Sequence, residues 1–72
     1  MPFTRPDFRE RPLELRFENN EVCIYGTKAG LTKLSDLITS LVNKPKSAHI
    51  HLEDYELLTR QSLNGAIAIF DE

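Results

Sequence analysis

Two histidines alternate in His49-Ile50-His51, and Glu53 follows two residues later. On an extended strand, residues i and i+2 point the same way. Two imidazoles would then stand roughly 6.5–7 Å apart along the chain by strand rise. That spacing holds two corners of a metal site, and Glu53 could add a carboxylate. A closed site needs three or four ligands, and the chain contains only these 2 histidines. The competing reading is a pair of partly exposed histidines on a sheet face, available for hydrogen bonds to a partner. The shortage of ligands favours this second reading. A His-apolar-His-apolar-His nucleophile-and-base arrangement is incomplete, because the third place is held by Glu53.

Other reactive groups read the same way. Glu53, Asp54 and Glu56 beside His51 would need a pocket to shift their pKa values for acid/base work, and a domain this small offers no deep one. They read as a solvated turn. No basic residue is placed to activate Cys23 as a nucleophile, so it reads as a small apolar strand residue. Gly26-Thr27-Lys28-Ala29-Gly30 lacks the spacing of a phosphate-binding loop and reads as a strand-to-helix turn. No catalytic group and no cofactor is expected.

The elements that must position these residues follow from hydropathy period. Residues 1–11 carry Pro2, Pro6 and three arginines, and read as a flexible N-terminal arm ahead of a single α+β domain over 12–72. Leu13-Glu14-Leu15-Arg16-Phe17 alternates strictly, as a half-buried strand does. Asn19-Asn20 tolerates the positive φ of a primed turn, and Val22-Cys23-Ile24-Tyr25 completes a hairpin. Thr27 can cap a helix whose apolar residues, Leu31, Leu34, Leu37, Ile38, Leu41 and Val42, recur every three or four positions. Asn43 closes it and Pro45 blocks its continuation. Ala48 to Leu52 alternates again, and residues 53–58 suggest a helical turn. Leu57, Leu58 and Leu63 are expected to fold back over the sheet edge. Asn64-Gly65 marks a turn before Ala66-Ile67-Ala68-Ile69-Phe70, a last strand apolar on both faces. Such a strand suits burial on both sides or a homodimer edge.

Composition sets the outer bounds. The 72 residues are 40% apolar and 28% charged, with a formal net charge of −2. One domain is all that length supports, and its stability is marginal without a partner or a second copy. One cysteine makes no internal disulfide. No apolar run reaches the length that spans a bilayer, and the first residues lack a signal-peptide core. A cytoplasmic location is expected, with no membrane and no nucleic-acid partner, since a basic face is missing from the net charge.

The order β-β-α-β-β predicts a four-stranded, mainly antiparallel sheet with one helix packed on one face. Strand parity then gives the uncovered face Glu14, Arg16, Glu21, Cys23, Tyr25, His49, His51 and Glu53. Of these, Glu14, Arg16, Tyr25, His49, His51 and Glu53 are the candidate partner-binding residues.

From Ala29 to Phe70 the chain resembles the small bacterial immunity proteins of polymorphic toxin systems, in particular the immunity protein 32 family. The resemblance rests on Gly30-Leu31 and Leu34, on His49-Ile50-His51-Leu52 after the helix, and on Ser62-Leu63 followed by the Ala66–Phe70 strand. It implies a cytosolic antitoxin that binds and neutralises a cognate protein toxin. A net charge of −2 is far from that of a nucleic-acid mimic, so the class of toxin stays open. The alternative is a small metal- or ligand-binding module built on His49, His51 and Glu53.

Overall fold

Strict alternation makes the first two strands, and an asparagine pair makes their turn. A computed structural model of the chain describes residues 3–70. Leu13–Glu18 (β1) and Glu21–Gly26 (β2) pair antiparallel, with Leu13 opposite Gly26 and Glu18 opposite Glu21. Asn19 and Asn20 both take positive φ, 52° and 62°. That is the primed turn whose twist matches a hairpin.

The helix Lys28–Val42 (α1) starts where Thr27 accepts a hydrogen bond from the Gly30 N–H onto its hydroxyl at 3.0 Å. Asn43 ends it, its N–H donating to the Thr39 carbonyl at 3.2 Å. Ala48–His51 (β3) runs into a 3-10 turn over Leu52–Tyr55, and Ala66–Ile69 (β4) pairs back antiparallel on β3.

The α+β class and the ββαββ order are those expected from the sequence. The single four-stranded sheet is not: β1–β2 and β3–β4 form two separate two-stranded sheets. The reason lies beside β1. Leu13 donates its N–H to the Leu57 carbonyl and accepts from the Thr59 N–H, at 3.0 and 2.8 Å. Leu15 accepts from the Leu63 N–H at 2.9 Å and donates its own N–H to the Ser62 hydroxyl at 2.8 Å. Residues 57–63 therefore take the edge of β1 that another strand would have used. Their backbone groups are satisfied by β1 without regular strand geometry. Leu57 and Leu58 do fold back as expected, while Leu63 stays exposed.

The core is leucine throughout: Leu13, Leu15, Leu34, Leu52, Leu57 and Leu58, with Leu37, Ile50 and Ile67 packed against it. Leu13 is wholly buried. β4 is half-buried on one face only, through Ile67 and Ile69, and presents Ala66 and Ala68 outward. Leu34 and Leu41 carry the buried side of α1, and Leu31, Ile38 and Val42 lie along an exposed flank.

The start of α1 is buttoned to the start of β1. The Thr27 N–H donates to the Pro12 carbonyl at 3.1 Å, and a Cβ on Gly30 would stand 2.3 Å from that same oxygen. Gly→Ala in a helix ordinarily stabilises by about 1 kcal/mol. Here overpacking against backbone reverses the sign, and Gly30→Ala is expected to destabilise by about 1–3 kcal/mol. Leu13→Ala should cost about 2–5 kcal/mol. Urea unfolding followed by circular dichroism checks both, and a more stable Gly30→Ala would show that Pro12 does not sit on the helix start.

Candidate functional site

The six residues singled out from the sequence separate into two groups, because the two sheets are separate. His49, His51 and Glu53 belong to β3 and its following turn. Glu14, Arg16 and Tyr25 belong to the hairpin.

In the first group both imidazoles are exposed, clear of the helix, while Ile50 between them turns half inward. Their rings meet edge to face with centroids 5.1 Å apart. His51 Nδ1 lies 3.5 Å from Glu53 Oε2. The other oxygen of Glu53 accepts the Gly65 N–H at 3.2 Å, which ties the carboxyl to the turn before β4. Among the described residues no three His, Cys, Asp or Glu side chains gather closely enough to hold a metal ion.

The second group is a connected polar network. Glu14 is only 4% exposed, and a buried carboxyl must be hydrogen-bonded to be tolerated. It accepts from Arg16 Nε on one oxygen and from the Thr59 hydroxyl on the other. The Arg16 guanidinium lies 4.4 Å from the centre of the Tyr25 ring, a cation–π contact. Its Nη1 donates to the Thr4 carbonyl at 3.0 Å and lies 3.5 Å from Glu18. The Tyr25 hydroxyl donates to Glu18. That hydrogen bond raises the phenol pKa above its ordinary value, with burial and the Glu18 charge acting in the same direction. The hydrogen bond to Glu14 likewise raises the pKa of Arg16.

The polar face of the hairpin is therefore not open along its length. Cys23 and Glu14 are buried. Residues of the N-terminal segment lie over this face: Phe3 stands edge-on to Tyr25 at 5.8 Å, Thr4 caps Arg16, and Pro6 is buried. Thr59 closes the network from the 57–63 segment.

A different surface is the open one. On the apolar face of the hairpin, Leu13 and Leu15 are buried, but Phe17, Val22 and Ile24 remain 61%, 72% and 54% exposed. Val22, Ile24 and Leu31 share a shallow cavity of about 470 Å³ with Phe3. Among the described residues no strand pairs with the outer edge of β2. The odd-numbered residues Leu13 and Leu15 of β1 bond to residues 57–63, so the even-numbered ones face β2. Parity then turns the backbone groups of Val22 and Ile24 outward. Sequence reasoning places these apolar side chains in the core. Alternation tells which way they point, but not that the core ends at Leu15.

Comparison with protein-family models, curated proteins and solved structures finds no match. The arrangement of residues is thus the ground on which a function can be argued.

Two measurements test the polar network. Thr59→Val leaves a buried carboxyl oxygen without its donor and should cost about 1–3 kcal/mol in urea unfolding. Tyr25 should ionise above the ordinary phenol value, and Glu18→Gln should bring its titration, followed by ultraviolet absorbance, back down. Because the folded pKa is raised, the contribution of Tyr25 to stability is present below the unfolded phenol pKa and is lost as pH rises through the folded one. A Tyr25 titration that ignores Glu18→Gln would show that the phenol has no such partner.

Proposed function

We propose that this chain is an immunity protein that binds a cognate protein toxin and neutralises it by covering its surface. The observation that carries a protein-binding role is the apolar strip of Phe17, Val22 and Ile24 along the unpaired edge of β2. Adjacent exposed apolar side chains of this kind mark interaction sites when they are contiguous. An edge strand with outward backbone groups is a template for an added strand, and such strands ordinarily receive charge or cover against wrong pairing. Here the edge has neither at Val22 and Ile24. Leu31 extends the strip onto the helix, and Ile38 and Val42 continue on the same flank at helical spacing. Phe17, opposite Val22 at the turn end of the strip, adds the aromatic ring that protein interfaces favour as an anchor.

That the partner is a toxin is supported by the resemblance of Ala29–Phe70 to the immunity protein 32 family. No helix among the described residues is long and apolar enough to cross a membrane. The exposed His49–His51 pair adds polar contacts beyond the apolar strip in this reading. The metal-binding alternative draws no support from the geometry, since among the described residues no third side chain joins His51 and Glu53 closely enough to complete a ligand set.

The test is co-expression with the product of the adjacent open reading frame. The wild-type chain should rescue growth, and the Phe17→Asp, Val22→Lys double variant should not, while its circular dichroism is unchanged. Loss of the anchor should weaken binding about tenfold or more. A neighbour that is not toxic, or full rescue by the double variant, would remove the proposal.

A further inference from the structure

The basic residues of this chain are segregated by type. The four lysines, Lys28, Lys33, Lys44 and Lys46, all lie on α1 or in the loop after it. The five arginines, Arg5, Arg9, Arg11, Arg16 and Arg60, all line one cleft of about 620 Å³. Four of them come from the first 16 residues, and Arg60 is brought to them by the 57–63 segment.

Three acids share the cleft, Asp7, Glu10 and Glu14, and from its margin Glu56 lies 3.8 Å from Arg11 and Glu18 lies 3.5 Å from Arg16, so the positive charge left without a carboxylate is that of Arg5 and Arg60. Two of the acids are already engaged. Asp7 pairs with Arg9 at 2.8 Å, and the side-chain hydrogen bond from Arg9 holds its carboxyl at about 2. Glu14 is engaged by Arg16 and Thr59. Arg5 packs over the Phe8 ring at 5.3 Å, and neither Arg5 nor Arg60 has a carboxylate partner among the described residues. Glu14, Arg16 and Thr59, which bond to one another, form part of its lining. A guanidinium presents a planar fork of donors that matches a carboxylate in a two-point contact, which an ammonium does not.

The cleft also continues. A second hollow of about 520 Å³ shares Glu10, Arg11, Thr59 and Arg60 with it and extends to Ser62, Asn64 and Glu53. The combined groove thus alternates arginines with hydroxyl and amide side chains, and acids interrupt it.

We propose that this arginine-lined groove binds an extended acidic segment of a protein partner, Arg5 and Arg60 taking its carboxylates and the side-chain amides of Gln61 and Asn64 its backbone. The proposal rests on the reading of the chain as a partner-binding domain and names the chemistry of what it binds. A nucleic acid fits less well. Its evenly spaced phosphates would meet Glu10 and Glu53 in the groove, and the rings that these arginines touch, Phe8 and Tyr25, are half-buried, which leaves no exposed stack for bases there among the described residues.

The experiment is fluorescence anisotropy of the full chain with a fluorescein-labelled peptide of alternating Glu and Ser. Binding should saturate and weaken as salt screens it. Arg5→Gln with Arg60→Gln should weaken it about tenfold or more, at unchanged circular dichroism. Lys33→Gln with Lys46→Gln should leave it unchanged. No binding, or equal loss in the lysine variant, overturns the proposal, the latter by showing diffuse attraction. Tighter, arginine-dependent binding of labelled oligothymidine overturns it in favour of a nucleic-acid groove. This assay needs no toxin, and the growth assay uses Phe17 and Val22, so each reading can fail without the other.

Discussion

The structure depends on β1 being hydrogen-bonded along both edges. On one side it meets β2 in a six-residue ladder. On the other, Leu13 and Leu15 engage the backbone of Leu57, Thr59 and Leu63 and the hydroxyl of Ser62. The side chains of β1 follow the same division. Leu13 and Leu15 go into the leucine core on one face, and Glu14 and Arg16 anchor the polar network on the other. A single strand therefore joins the helix, the C-terminal half and the N-terminal segment. Each of these alone buries too little apolar surface to be stable in a chain of this size.

This central position explains why the two faces of the hairpin differ in character. The polar face is short of water because Thr59 and the segment around Pro6 close over it. Glu14 can then be buried only because both of its oxygens have donors. The apolar face has the opposite problem. The core ends at Leu15, and the tip of the hairpin reaches past it. Glu14 is buried while Phe17, Val22 and Ile24 are exposed, which inverts the usual arrangement of these residue types within one hairpin.

What could be read from the sequence was local. The hairpin turn was legible because two adjacent asparagines accept positive φ. The helix was legible because Thr27, the leucine stripe and Asn43 agree on the same limits. Ile50 and Leu52 turned inward and the histidines outward, as alternation requires. What could not be read was long-range. Thr59 meets Glu14 across 45 residues, and nothing in the composition of residues 57–63 distinguishes a strand surrogate from an ordinary loop. That one segment splits the expected sheet in two, separates the histidines from Glu14, Arg16 and Tyr25, and carries Arg60 to the other arginines. The exposure of Phe17, Val22 and Ile24 follows from the same cause, since no third and fourth strand extends the layer beneath them.

A strand surrogate made of irregular backbone has a cost in tolerance. The attachments of Leu57, Thr59, Ser62 and Leu63 to β1 fall at fixed intervals with no repeating ladder behind them. A regular strand that gains a residue can form a bulge and resume its pairing beyond it. Residues 57–63 have no further pairing to resume. A single insertion there would displace Thr59 from Glu14 or Ser62 from Leu15, so length in this stretch is as constrained as identity is in the core.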